Sequence, residues 1–241
     1  MGEIQIYHAD ALKLLVSAQN DDFDALITDP PYASGATLTA KAASTASKYT
    51  SNKRNNPFPD FDGDTMDQRS WTLMMTDVLR EGRRICKSGA VCALFIDWRQ
   101  LPSLSDALQR AGWIWRGIAV WDKVNARPQK GRYTQQAEFL VWGSNGRLDP
   151  KRPVPVLPGV YSVFGGAIPD RIHQTQKPLP LMREIVKLCV PGGRIIDPFA
   201  GSGTTLLAAR EAGYDAVGSE SNVAIARAAA ERLGVNLKEI T

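Results

Sequence analysis

The fold turns on Arg194-Ile195-Ile196-Asp197-Pro198-Phe199-Ala200-Gly201-Ser202-Gly203-Thr204-Thr205. A short apolar run stops at Asp197-Pro198, two glycines follow, and helical spacing holds from residue 203 to 212, where Gly213 ends it. This is strand, tight turn, helix. Gly201 and Gly203 allow a close backbone approach to a ligand, and the helix start offers free N–H groups. The loop has no lysine where a phosphate loop needs one, and it does not match the six-position dinucleotide pattern. A second apolar run, 216–219, closes at Glu220, at the spacing of roughly 20 residues expected for an acid that accepts from ribose hydroxyls. Glycine loop and acid together point to an adenosine-bearing cofactor without an obvious pyrophosphate.

Outward from this unit the chain alternates strand and helix. Strands are expected at 193–196, 4–7, 25–28, 90–96, 114–121 and 137–142, with a short one in the tail 235–240. Helices are expected at 10–18 behind Asp10 as N-cap, at 67–86 ended by Lys87-Ser88-Gly89, and at 101–110. Others fall at 179–189 behind Pro178 and Pro180, and at 223–233. Residues 150–170 are rich in proline and glycine and read as loop. The pattern predicts one α/β domain over residues 1–241, a doubly wound, mostly parallel sheet covered on both faces. Ligands of such sheets bind outside the carboxyl ends of the strands.

A second strand stops in a chemically unusual way. Residues 25–28 run into Asp29-Pro30-Pro31-Tyr32, where two prolines forbid a continued ladder or an immediate helix. An exocyclic amino group on a nucleobase is a poor nucleophile because its lone pair is delocalised into the ring. Hydrogen bonds from it to a carboxylate and a backbone carbonyl favour a pyramidal, reactive nitrogen. Asp29 supplies the carboxylate, Pro30 a carbonyl in a rigid turn without a competing N–H, and Tyr32 a flat face for an extruded base. Such a site works by positioning and electrostatics, with no covalent intermediate.

With both loops read together, the chain resembles the DNA amino-methyltransferases, in the order where the catalytic tetrapeptide precedes the cofactor loop (the β group). The resemblance implies an S-adenosylmethionine-dependent enzyme of the phage- or prophage-type solitary kind. Asp29, Pro30, Pro31 and Tyr32 would be catalytic. The cofactor would be bound by Asp10, Lys177, Asp197, Phe199, Gly201, Ser202, Gly203, Thr204 and Glu220. Asp10 follows His8 where the family has glycine, and Gln176-Lys177-Pro178 matches the family's Lys-Pro motif, which opens a helix beside the methionine end of the cofactor. Asp at the first motif position leans toward adenine N6, with cytosine N4 as the alternative. If the chain were cut at Leu233 and rejoined through Ile4, its elements would follow the common methyltransferase order. The strands at 114–121 and 137–142 would then form the final hairpin of the sheet. Members of this group are often homodimers.

Composition agrees with a soluble enzyme that meets phosphates. Of 241 residues, 44% are hydrophobic and 22% charged, and the net charge is +4. Residues 33–59 carry four cations and no acid, and residues 122–177 carry nine cations against four acids. Lys48, Lys53 and Arg54 in the basic loop 33–61, with Lys123, Arg127, Lys130 and Arg132 near the loop 124–136, are the candidate DNA contacts. The stretch 143–172 is a further candidate. Neither region is large enough for a separate recognition domain, so a short or relaxed recognition sequence is expected, with affinity mostly from phosphates. Three cysteines (Cys86, Cys92, Cys189) without CxxC spacing, and two distant histidines (His8, His173), argue for no metal and for a cytoplasmic protein. No signal peptide or membrane span is seen, and nothing after Leu233 suggests a fused nuclease.

Other readings are weaker. Cytosine C5 chemistry needs a covalent cysteine, and the chain has no Pro-Cys pair. RNA and protein amide methyltransferases usually begin the tetrapeptide with Asn and place the cofactor loop first. An inactive DNA-binding module would not need Asp29, Tyr32 and Glu220. Six tryptophans read as core, with Trp121 the expected exception. Asp97 reads as a helix cap, and Lys130-Gly131-Arg132-Tyr133 as a backbone-contacting loop.

Overall fold

The computed structural model describes residues 2–33, 66–165 and 176–240. Among these residues nine strands form one sheet: β1 (Ile4–His8), β2 (Phe23–Thr28), β3 (Cys86–Ile96), β4 (Ile114–Asp122), β5 (Ala137–Ser144), β6 (Val160–Ser162), β7 (Arg194–Asp197), β8 (Asp215–Glu220) and β9 (Leu237–Glu239). Their order across the sheet is β6-β4-β5-β3-β2-β7-β8-β1-β9. Only β5 runs against its neighbours among the described residues. Among the described residues six α-helices cover the sheet: α1 (Ala11–Ser17), α2 (Gln68–Ile85), α3 (Leu101–Arg110), α4 (Leu179–Ile185), α5 (Thr204–Glu211) and α6 (Val223–Leu233). This is the doubly wound α/β fold that the alternation predicts.

The central strands are apolar on both faces because both faces are covered. Val91, Ala93 and Phe95 of β3 enter the layer with α4, α5 and α6, where Leu181, Leu206 and Leu233 pack. Cys92, Leu94 and Ile96 enter the opposite layer, with Leu15, Trp71, Leu79 and Leu104 from α1, α2 and α3. Strand β2 divides the same way, Ala25 and Ile27 to one side and Phe23 and Leu26 to the other. The cysteines are buried packing residues: Cys86 and Cys92 in one layer, Cys189 in the other.

Several boundaries correct the sequence reading. Lys87-Ser88-Gly89 does not follow the helix as a turn but lies inside β3, which begins at Cys86. Tertiary bonds extend the strand: Gly89 N donates to Asn145 O (2.7 Å), Asn145 N to Ala90 O (2.8 Å), and Asn145 Nδ2 to Cys86 O (2.7 Å). The stretch read as loop at 150–170 contains β6, which pairs with β4 and is the sheet edge, so the β4–β5 hairpin is not the final pair. Three residues are too few to show alternation. The helix expected to reach 189 leaves α geometry at Ile185 and closes with a 3-10 turn over Val186–Leu188. Trp121 is a core residue, not a stacking platform: it is buried, with its indole N–H on Val163 O at 2.9 Å. The exposed tryptophans among the described residues are Trp98 and Trp115, with Arg99 Cζ 5.0 Å from the Trp98 ring centroid.

Candidate active site

Strands β2 and β7 are parallel neighbours, paired through Ala25–Ile195 and Leu26–Ile196, so Asp29 and the glycine loop leave adjacent strand ends. The two ends are stitched together. Thr28 Oγ1 donates to Asp197 Oδ1 at 2.5 Å, and Phe199 N lies 3.2 Å from the same carboxylate oxygen. Asp197 is buried, and desolvation pushes its carboxyl up to about 6 against the hydrogen bonds from Thr205, Thr28 and Phe199.

The glycine loop closes on itself and on β8. Ala200 N donates to Ser219 O and Gly203 N to Ala200 O, both at 2.8 Å, and Ser219 Oγ to Pro198 O at 3.0 Å. Gly201 (φ 51°) and Gly203 (φ 74°) are left-handed, and Gly203 caps α5. Nothing lies within 4 Å of where a Cβ on Gly201 would sit, so the loop has an open backbone face. Ser202 Oγ and Thr204 Oγ1 are 3.1 Å apart and buried. At the end of β8, Glu220 accepts from Asn222 N (2.8 Å), and burial raises its carboxyl above the ordinary value. Asp10 caps α1 through Leu12 N (2.8 Å) and Lys13 N (3.4 Å). Its neighbour Ala9 N reaches Glu220 O, which places Asp10 on the same strand-end rim. His8, standing where the family has glycine, binds Glu239 and Ser221 O.

The Asp29–Tyr32 tetrapeptide is wired to three distant segments. Trp71 of α2 donates its indole N–H to Pro31 O at 2.6 Å. The Tyr32 hydroxyl lies 2.7 Å from Asp29 Oδ1 and 2.6 Å from Glu138 Oε1. One hydroxyl has one hydrogen, so two carboxylates share it. Lys177 Nζ lies 2.5 Å from Asp29 Oδ2, 2.8 Å from Glu138 Oε1 and 3.2 Å from the Tyr32 oxygen. It also sits 4.8 Å from the Phe95 ring centroid. Lys123 Nζ meets the other Glu138 oxygen at 2.6 Å. Two ammonium groups thus face two carboxylates.

These charges set one another. Burial would raise Glu138, but Lys177 and Lys123 outweigh it and hold its carboxyl down at about 2. For Asp29, burial and the Glu138 charge outweigh Lys177, and its carboxyl is raised. The two carboxylates hold Lys177 protonated against its burial. Burial and both carboxylates raise the Tyr32 phenol well above its usual value. Two groups of opposite tendency beside one amine fit a site that accepts a proton at Asp29 and keeps a fixed charge at Glu138.

Glu138 is the residue that sequence reading missed. It is only 5% exposed on β5. An acid in the otherwise apolar run Ala137-Glu138-Phe139-Leu140-Val141-Trp142 is the signal that could have marked it. Lys123, read as a phosphate contact, is instead paired with Glu138, although it keeps part of its surface. Lys177 turns toward Asp29 and Glu138, at the entry of α4. Arg127, Lys130 and Arg132 stand in an irregular segment between β4 and β5, with Tyr133 exposed beside them. Asp97 caps a turn through Arg99 N (2.9 Å) and Gln100 N (3.3 Å). Lys48, Lys53, Arg54 and His173 lie outside the described residues, as does nearly all of the basic loop 33–61.

A family model described as DNA methylase, for N6 and N4 methyltransferases, matches residues 23–153 and 147–231. The chain belongs to this family. Among its relatives, the type II methyltransferase M2.DpnII of Streptococcus pneumoniae is 23% identical over 253 residues, covering 95% of this chain and 88% of that protein. M.SmaI of Serratia marcescens is 31% identical over 158 residues, 57% of this chain and 51% of the relative. Of solved structures, the cytosine-N4-specific PvuII DNA methyltransferase superposes with a TM-score of 0.74 at 15% identity, over 96% of this chain and 86% of that one. M1.HpyAVI in complex with SAM does so with a TM-score of 0.69 at 24% identity, over 96% and 100%. These likenesses bear out the α/β methyltransferase fold. Among the described residues no helix is long and apolar enough to cross a membrane.

Proposed function

We propose that this DNA methylase transfers a methyl group from S-adenosylmethionine to adenine N6 in double-stranded DNA, acting within one domain on a base turned out of the duplex. The observation that carries the reading is the juxtaposition of Asp29 with the glycine loop at adjacent strand ends. The site fits the cofactor: an open backbone face at Gly201, left-handed turns at Gly201 and Gly203, and a largely buried acid at Glu220. Asp10, Asp197, Phe199, Ser202 and Thr204 complete the proposed cradle, and Lys177 closes it on the Asp29 side. When bound, the cofactor supplies a methyl group activated by a positive sulfur. Asp29 and the Pro30 carbonyl accept hydrogen bonds from the target amino group and turn its lone pair toward that methyl. Tyr32 offers its ring to the extruded base while its hydroxyl stays anchored to Asp29 and Glu138. Arg127, Lys130 and Arg132, with Lys48, Lys53 and Arg54, contact the duplex backbone.

Aspartate at the head of the tetrapeptide supports adenine. Cytosine N4 is the second reading, since it needs the same chemistry on another amino group and the PvuII enzyme shares the fold. Tritiated methyl transfer to duplex DNA, followed by nuclease digestion and mass spectrometry, tests both. The expected product is N6-methyladenine, and N4-methylcytosine without it would replace the base assignment. Asp29→Ala should lower transfer by about 10²–10³-fold or more while the protein stays folded.

A further inference from the structure

The transfer chemistry above uses Glu138 only to anchor the Tyr32 hydroxyl, yet it is buried and also touches Lys177 and Lys123. An ionised carboxylate removed from water is costly unless something requires it there. The position of Lys177 suggests what does. Its ammonium lies almost equally close to Asp29 Oδ2 (2.5 Å) and Glu138 Oε1 (2.8 Å), and the single Tyr32 hydroxyl proton is divided between the same two carboxylates. Without Glu138, both donors would rest wholly on Asp29. They would saturate its lone pairs and hold it as a weak, fully paired anion.

We propose that Glu138 is a positioning residue for methyl transfer, a fixed counter-charge that draws Lys177 and Tyr32 partly off Asp29 and so leaves the Asp29 carboxylate free to take the departing amino proton. The proposal rests on the reading of Asp29 as the amino-group acceptor. In the balanced step, the nitrogen–methyl bond forms as the sulfur–methyl bond breaks, leaving that electron pair on sulfur. One N–H bond then breaks, its electron pair stays on nitrogen, and the proton passes to an Asp29 oxygen. From there it leaves to water when product departs. Glu138 stays ionised throughout, held so by Lys177 on one oxygen and Lys123 on the other.

Among the described residues the charged and titratable groups around the pair are few. Asp29 faces Lys177, Tyr32, Glu138 and, across the strand ends, Asp197. Glu138 faces Lys177, Lys123 and Tyr32. Asp122, next to Lys123, is turned to Val124 N, Gln136 and Ser162. Two substitutions should therefore act in opposite directions on Asp29. Glu138→Gln removes the negative charge and returns Lys177 to Asp29. Lys123→Gln removes a positive charge and leaves Glu138 more strongly negative beside it.

The test compares single-turnover methyl transfer against pH for wild type, Glu138→Gln, Glu138→Asp and Lys123→Gln, with DNA and cofactor affinities measured alongside. Glu138→Gln should slow transfer roughly ten- to a hundredfold at unchanged affinities and move the acid limb of the profile down by on the order of one pH unit. Lys123→Gln should move that limb up, and Glu138→Asp should recover part of the rate. Limbs that superimpose on wild type in all folded variants would overturn the proposal, as would a rate loss matched by equal loss of cofactor or DNA affinity. A second readout needs neither ligand: the carbon-13 titration of the Asp29 carboxyl, assigned with Asp29→Asn. Its midpoint should fall in Glu138→Gln and rise in Lys123→Gln. If wild type transfers nothing to DNA, the functional reading fails and this titration alone judges the coupling, an unmoved midpoint sinking it. Should Glu138→Gln not fold, Lys123→Gln decides by the same sign.

Discussion

Asp197 shows how one residue can serve the site and cost the fold. Its carboxyl accepts from Thr28 and Phe199 in a buried position and titrates at about 6, above the ordinary 3.8. A carboxyl raised on folding contributes stability that is fully present below 3.8 and lost as pH rises through about 6. At pH 8 its charge therefore opposes folding, by up to about 3 kcal/mol. Asp197→Asn keeps an oxygen for Thr28 and Phe199, removes the buried charge, and should raise the thermal midpoint at pH 8, with the gain vanishing near pH 4. Melting curves at the two pH values check this, and an equal shift at both would contradict it. Glu138 has the opposite sign. Its lowered carboxyl contributes stability present above the ordinary 4.5 and lost as pH falls through about 2. Asp29, also raised, should give transfer an acid limb above 3.8.

At the scale of elements, α2 holds the Asp29–Tyr32 turn. The helix begins behind Asp67, whose carboxylate caps Arg69 N and Ser70 N, and its first turn carries Trp71, fully buried, to Pro31 O. A turn with two consecutive prolines has few N–H groups to fix itself, so the indole supplies the bond from outside. Trp71→Phe keeps most of the packing but strands the Pro31 carbonyl. It should cost about 1–3 kcal/mol in denaturant unfolding and lower the transfer rate more than cofactor affinity. A full rate with reduced stability would show that the turn holds without it. Much of this scale was legible in the sequence. Strand and helix periods placed β1, β2, β7, β8, α5 and α6 within a residue or two, because their apolar faces repeat locally. Strand β6 and the first residues of β3 were not legible, because pairing with β4 and with Asn145 makes them strands.

Across the whole molecule, positive charge is dense in the segment between β4 and β5, where residues 123–136 carry four cations and no acid. The segment with Arg127, Lys130 and Arg132 joins β4 to β5, and β5 itself brings Glu138 to the site. If that segment lies on phosphates, Arg127→Gln, Lys130→Gln and Arg132→Gln together should weaken binding to all duplex sequences alike. The slope of log affinity against log salt should become shallower by roughly 3. Titrations at several salt concentrations check this, and an unchanged slope would move the contact elsewhere. Lys123 is left out of this set because its charge is committed to Glu138.

The sequence by itself determined the alternation of strand and helix, the two loops at strand ends, and the order in which they come. Each of these is written in neighbouring residues, through apolar period, proline geometry and glycine freedom. Only the folded chain settles how the Asp29 carboxylate is held. Lys177 reaches Asp29 across 148 positions and Tyr32 reaches Glu138 across 106. Such a charge cluster leaves no local period, since its members are linked only by shared burial and by the need of each buried charge for a partner. The tetrapeptide supplies the Asp29 carboxylate, and the folded sheet supplies the charges that surround it.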